Sequence, residues 1–267
     1  MKRLLFLSLL LISLTFNAQI NLNIGSTAVG TAPVSSFFSY SYVQQIYPKQ
    51  EINANSAGNI TGLTFYIDPS ATINDSSSWT VYLGHTTKTS FASGTDWVSS
   101  SQLTQVFSGN VTRNGNKVEL TFTTPFAYNN TDNLLVAAKE NAPSIDINNF
   151  DEAFKVYSHL PYSTLFYKGD LAVVDVAAPP GGIRADYKSA VTFAGLTPSP
   201  TPACPYILSP LNNAQAVALS PSVTWFPVSG VDSYKVSVGT SSGSTNVINQ
   251  QVVTGTSFSP STPLNPD

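Results

Sequence analysis

Four acids, Asp146, Asp151, Glu152 and Asp170, fall close together in the chain with aromatic residues between them. Glycoside hydrolysis uses two carboxyl groups about 5 to 10 Å apart across a cleft, one to protonate the leaving oxygen and one as nucleophile or base. Sequence spacing does not measure that distance. Gly239, Ser241 and Gly243 match G-x-S-x-G, the turn that presents a hydrolase serine. That turn needs a strand before it, a helix after it and a histidine later in the chain. Both histidines, His85 and His159, come earlier, so turn-making fits Ser241 better than nucleophilic attack. The single cysteine, Cys204, stands among Pro200, Pro202 and Pro205 with neither histidine near it, and reads as a neutral junction residue.

Metal and phosphate motifs are missing: there is no H-E-x-x-H, paired C-x-x-C, P-loop or G-x-G-x-x-G. Each histidine is more simply a polar surface residue than a ligand. Loops at Asp68, at Asn74-Asp75 and from Asn129 to Asp132 carry the hard oxygen atoms that calcium takes. They lack a fixed acidic spacing, so turn-making is the simpler reading, and no cofactor beyond that calcium option is expected.

Aromatic residues give the stronger binding signal. Phe38, Tyr40 and Tyr42 alternate with Ser39 and Ser41, so a strand here would project three rings from one face. Flat rings in a row stack on sugar faces while Ser, Asn and Gln supply polar contacts. The competing and preferred reading is that these rings fill the space between two sheets. Tyr157, Tyr162, Phe166 and Tyr167 flank His159 and Pro161, in a more irregular stretch where loop placement favours exposure. These four are the candidate ligand-binding patch.

The elements that must position such residues are strands. Only 10% of the 267 residues are Asp, Glu, Lys or Arg, whereas Ser, Thr and Asn together make up 83. So few charges disfavour a coiled coil, a charge-driven disordered tail and a nucleic-acid binder. Trp79, Val81 and Leu83 alternate with Thr80 and Tyr82, and Val118, Leu120 and Phe122 with Glu119, Thr121 and Thr123. That period of two predicts strands with one dry face. Ile60, Leu63, Phe65 and Ile67 open another strand, and Asn114-Gly115-Asn116 supplies a hairpin turn between Val111 and Val118. No helical stripe is expected beyond a turn near Asp151 to Tyr157.

Lys2 and Arg3 precede an apolar stretch from Leu4 to Leu14, and Ala18 offers a small residue at a cleavage point. Residues 1–18 therefore read as a secretory signal peptide, too short to span a membrane. Without Lys2 and Arg3, 10 basic residues face 15 acidic ones, and no basic block addresses nucleic acid or anionic membranes. Four prolines between Leu196 and Pro205 suit a stiff connector over 196–204. It separates a module over 19–195 from one over 203–267.

The second module, with Trp225, Tyr234 and the segments 209–225 and 228–240, resembles the first half of a fibronectin type III module. In that family a Trp on the second strand packs against a Tyr on the third, and Trp225 and Tyr234 stand where those would. The family continues past the strands visible here, which implies a longer natural polypeptide and an uncovered core face. The first module, through segments 42–47, 58–65, 79–84 and 125–128, resembles the amino-terminal β-rich region of large surface proteins of bacteria that use type IX secretion. That group shares no single activity, so no functional residue carries over.

The expectation is an all-β chain: a jelly-roll-like β-sandwich followed by an incomplete fibronectin type III-like β-sandwich. Its expected function is non-catalytic adhesion or binding, as an accessory part of a longer secreted or cell-surface protein. The alternative is a carbohydrate-binding module attached to a secreted protease or glycoside hydrolase. An extracellular glycan or surface protein is the expected partner, with no nucleic acid and no membrane span after signal cleavage.

Overall fold

The computed structural model describes residues 18–146, 153–158, 160–210, 214–228 and 231–264. Its strands run, in chain order, β1 (Gln19–Leu22), β2 (Val29–Gly30), β3 (Tyr40–Tyr47), β4 (Gly58–Tyr66), β5 (Ser78–Thr86), β6 (Thr104–Asn110) and β7 (Arg113–Asn114). Then come β8 (Lys117–Tyr128), β9 (Asn133–Glu140), β10 (Phe154–Ser158), β11 (Thr164–Gly169), β12 (Ile183–Ala185), β13 (Tyr187–Ser189) and β14 (Val191–Ala194). The second half holds β15 (Ile207–Ser209), β16 (Val223–Trp225), β17 (Tyr234–Val238), β18 (Ile248–Val253) and β19 (Ser257–Phe258). A short α-helix, α1 (Lys49–Ile52), follows β3 and ends at Asn53 in the left-handed region, whose N–H reaches the Lys49 carbonyl; a 3-10 turn covers Ser100–Gln102.

The fold is all-β. A five-stranded antiparallel sheet, β1-β14-β4-β8-β7, packs against a six-stranded one, β12-β11-β3-β9-β5-β6. The chain passes between the two layers repeatedly, from β3 to β4 to β5 and from β8 to β9, so most neighbours in a sheet are distant in sequence, the pairs β5-β6, β7-β8 and β11-β12 excepted. β1 pairs with β14, and β14 with β4. Three shorter strands, β13-β10-β2, form a small third sheet.

Alternation explains the core. In β8, Val118, Leu120 and Phe122 are buried while Glu119, Thr121 and Thr123 are exposed. In β5, Trp79, Val81 and Leu83 point inward. Phe65, Trp79 and Phe154 meet in the middle, with ring centroids 6.2 and 5.6 Å from Trp79. The indole N–H of Trp79 donates to the Ser76 carbonyl at 2.7 Å, so its polar edge is satisfied. Each such side chain contributes about 1.5–3 kcal/mol through burial.

Two expectations change. The turn placed near 151–157 is a strand from Phe154 onward, because Val156 and Tyr157 pair with Ser189 and Lys188; residues 151 and 152 lie outside the described residues. The connector is not free along its length. Leu196 is buried in the main core, Asn55 N–H donates to the Thr197 carbonyl, and Ser199 N–H donates to that of Asn53. Its first half is thereby laid against the sandwich.

Gly195, at the end of β14, has φ +93. Its N–H reaches the Ala18 carbonyl, and an added Cβ would drive into the Asn59 carbonyl oxygen. Gly195→Ala is therefore expected to cost about 2 kcal/mol or more, read as a lower urea midpoint at unchanged slope. A shift under about 0.5 kcal/mol would show that β14 and β4 part easily.

Beyond the connector, β15-β16-β19 and β17-β18 form two small antiparallel sheets. Trp225 and Tyr234 meet edge-on between them at 5.3 Å. Trp225 is the one buried side chain among the described residues after Leu196. Ile207, Val223, Val236 and Val238 line a groove of about 450 Å³ beside it. Among the described residues, no helix is long and apolar enough to cross a membrane.

Candidate functional site

The six-stranded sheet is buried on both faces along β3 and β9. Ser41, Val43, Gln45 and Tyr47 look towards the rest of the sandwich, whereas Tyr42, Gln44 and Ile46 look outward. The loops 87–103 and 170–182 cover that outward face in part. Phe91 and Val98 pack on Ile46, Leu135 and Leu165, while Val174 packs on Tyr42 and Ala137.

Around Tyr42 the cover is incomplete. Tyr40, Tyr82, Trp97 and Tyr167 surround it and remain half-exposed. Tyr40 and Tyr42 share a face because they are two apart on β3. Tyr167 joins them because β11 pairs it with Tyr42, and Tyr82 because β5 sets it beside Ala137. Trp97 lies on a loop and is positioned by hydrogen bonds. The buried Gln44 amide accepts from Val98 N–H at 2.8 Å and donates to the Val98 carbonyl at 2.9 Å. The Trp97 indole N–H donates to the Pro180 carbonyl at 2.9 Å, tying the two covering loops together. Its ring then rests 5.1 Å from that of Tyr42.

The polar groups of this face follow the same register. β9 sets Lys139 between Tyr42 of β3 and Thr80 of β5. Asn141 donates to the Thr80 hydroxyl at 3.1 Å. Burial pushes the Tyr42 phenol up to about 12, partly opposed by the hydrogen bond from Gln44, and raises that of Tyr82. Both stay neutral hydroxyls at physiological pH. Burial also lowers the pKa of Lys139, and the charge of Asp175 on the covering loop works against that shift.

The four residues expected as a patch separate. Tyr157 is buried in the main core, with its hydroxyl donating to Glu51 at 2.7 Å. Phe166 is buried against Ala32, Val43 and Val156. Tyr162 is exposed, with the Arg184 guanidinium 3.8 Å above its ring. Tyr167 alone joins the outward aromatic group. The loop placement expected for this stretch holds at Tyr162, which lies exposed in a turn, and fails at Phe166 and Tyr167, because residues 164–169 form a strand inside the sheet whose alternate side chains take opposite faces. Phe38, Tyr40 and Tyr42 do not fill the space between the sheets either: Tyr42 is buried under the covering loops on the far side, and Phe38 lies beneath Lys168 at 5.0 Å.

Groups with catalytic potential are occupied in other ways. Asp146 is buried, and its carboxylate accepts from Thr72, from the N–H groups of Asn74, Asp75 and Ser76, and from the Ser76 hydroxyl at 2.6 Å. Asp170 is exposed and accepts from Ser39 N–H, while Asp151, Glu152 and His159 lie outside the described residues. His85 accepts from Asn129 N–H at 3.1 Å and stacks beside Phe126 and Tyr128. Burial lowers its pKa, with Asp132 opposing, which keeps it a neutral acceptor. Ser241 follows β17, but a turn closed by Ser244 N–H comes next in place of a helix. Cys204 is exposed.

Two of the oxygen-rich loops, at Asp68 and at Asn129, use their side-chain oxygens internally. Asp68 pairs with Lys155 at 2.6 Å and accepts from Ser70 N–H; the Lys155 ammonium, more than any other contact, holds its carboxyl well below the usual range. Asn129 accepts from the N–H groups of Thr131 and Asp132. Among the described residues, no cluster of three or more His, Cys, Asp or Glu could hold a metal ion.

One acid was missed in the sequence. Glu140 is fully buried beside Trp79 and Ser41, one oxygen accepts from Ala142 N–H at 2.6 Å, and the other has no hydrogen-bond partner among the described residues. Its place on the inward face of β9 had no signal in the sequence, because that strand is buried on both faces and does not alternate. Protein-family models and curated proteins were both compared with the chain, and none matches it.

Proposed function

We propose that this chain is a non-catalytic, exported recognition module that holds glycans against the outward face of its six-stranded sheet, within a secreted or cell-surface polypeptide. The observation that carries the reading is the set of four half-exposed rings, Tyr40, Tyr82, Trp97 and Tyr167, gathered around Tyr42. Rings held by sheet register and by the Gln44 and Pro180 hydrogen bonds are ordered before any ligand arrives. Binding then costs little side-chain entropy. Thr80, Lys139 and Asn141 supply the polar contacts that a sugar requires beside a stacking surface. Export is supported by the charged start and short apolar stretch of residues 2–14, and by a composition rich in Ser, Thr and Asn.

The test is retention on a glycan array and in gels cast with soluble polysaccharides. Tyr82→Ala and Tyr167→Ala are each expected to weaken binding about tenfold, as losing one stacking ring of about 1.4 kcal/mol implies. Tyr162→Ala, whose ring is taken by Arg184, is expected to bind like the parent protein. Loss on Tyr162→Ala with no change on the other two would move the site to the rim and end this reading.

A further inference from the structure

Lys139 is an odd residue for the centre of an aromatic face. It stands directly across from Tyr42 on one side and Thr80 on the other, with Tyr40 and Tyr82 on the diagonals, distances that long side chains bridge. It is half-buried. Among the described residues it forms neither a hydrogen bond nor an ion pair, whereas Lys88, Lys155 and Lys188 are each held by a carboxylate. Asp175 lies near enough to affect its charge but is exposed and accepts instead from Ala177 N–H at 2.9 Å. An ammonium partly withdrawn from water with no direct partner is costly unless a ligand supplies one.

We infer that the ligand of this face is an acidic glycan whose carboxylate or sulfate group meets Lys139 while its sugar rings stack on Tyr82 and Tyr167. The inference rests on the aromatic face being the binding surface. Two sources share this chemistry, uronic acids and sulfate esters, and both place an anion at the edge of a ring that also has an apolar face. The neighbouring hydroxyls of Tyr40, Tyr82 and Thr80 are donors suited to the remaining anionic oxygens. Charge-assisted contacts of this kind are stronger than neutral ones, so the anion dominates selection among sugars of similar shape.

The experiment compares the full chain on four polymers: polygalacturonate, its methyl ester, a sulfated galactan and the same galactan desulfated. Affinity electrophoresis reads each. The expected result is at least tenfold tighter binding to one acidic polymer than to its neutral counterpart. Lys139→Met should remove that preference without lowering thermal stability, and Lys139→Arg should restore it. Which acidic polymer is retained distinguishes carboxylate from sulfate. Equal binding to acidic and neutral forms, unchanged in Lys139→Met, would overturn the inference and leave the aromatic face standing. No binding to any polymer by the parent protein, on these or on the array, would overturn both.

Discussion

Glu140→Gln is expected to make the fold more stable at pH 8 and to flatten its dependence on pH between about 5 and 8. Glu140 is fully buried at the end of β9, and burial, ahead of every other influence, lifts its pKa from 4.5 to about 8. The hydrogen bond from Ala142 N–H opposes the rise, and the charge of Asp146 adds to it. The Asp146 carboxylate is itself held by five donors. The folded protein therefore keeps Glu140 protonated through neutrality, while the unfolded chain releases that proton above pH 4.5. Over this interval the unfolded state binds fewer protons, so stability falls as pH rises, by about 1.4 kcal/mol per pH unit. The contribution is full below pH 4.5 and is lost by the time pH passes about 8. Glutamine keeps the neutral shape at every pH, with its oxygen free to accept from Ala142. Urea unfolding of both proteins from pH 5 to 9 should show the parent declining relative to the variant, with a difference of about 1–3 kcal/mol in favour of Glu140→Gln at pH 8. A difference that stays constant across the range would mean that Glu140 is ionised and stabilised in the native state.

Much of the sandwich was legible because one face of many strands is wet. Val118, Leu120 and Phe122 alternate with polar neighbours, and β8 reads correctly from that alone. The two-residue turn after Asn114 was legible too, since Gly115 at φ +61 closes the β7-β8 hairpin. β3 and β9 are different. They are buried on both sides, so the chain carries no polar phase to say which face is inner, and Tyr42 could be placed on a shared face with Tyr40 but not on the outward one. What settles the side is the covering loops, which have no hydrophobic period and are tied down by contacts as remote as Trp97 to Pro180, 83 residues apart. The burial of Tyr157 depends on Glu51, 106 residues away, and flanking residues give no hint of it. Composition does constrain the outcome: in a chain with so few charges, a lysine inside an apolar environment is informative wherever it occurs, and two such lysines, Lys139 and Lys188, sit in opposite situations. One lacks a partner and faces outward, and the other is sealed in with its partner.

That sealed pair sets the largest stability effect expected from a single substitution. Lys188 is fully buried, and its ammonium contacts the Glu51 carboxylate and donates to the Ile46 carbonyl at 3.2 Å. The rings of Tyr47 and Tyr157 lie 5.2 and 5.7 Å from it. Tyr157 donates its hydroxyl to the other oxygen of Glu51 at 2.7 Å, so α1, β10 and β13 are joined through one carboxylate. Burial raises the pKa of both phenols well above the ordinary value, with Glu51 adding to the rise, so both stay neutral hydroxyls. Lys188→Met fills the same space but leaves a carboxylate almost out of water without its cationic partner. Removing one member of a buried pair costs about 3–5 kcal/mol, whereas replacing both by neutral groups is often nearly neutral. Lys188→Met alone should therefore lower stability by about that amount. The double variant Lys188→Met, Glu51→Gln, in which the amide oxygen still accepts from Tyr157, should recover most of the loss. The double-mutant cycle is expected to give a coupling of about 2–3 kcal/mol by urea unfolding at neutral pH. Additive effects within about 0.5 kcal/mol would mean that water reaches Glu51 and that the junction of helix and sheets is open where it is drawn closed.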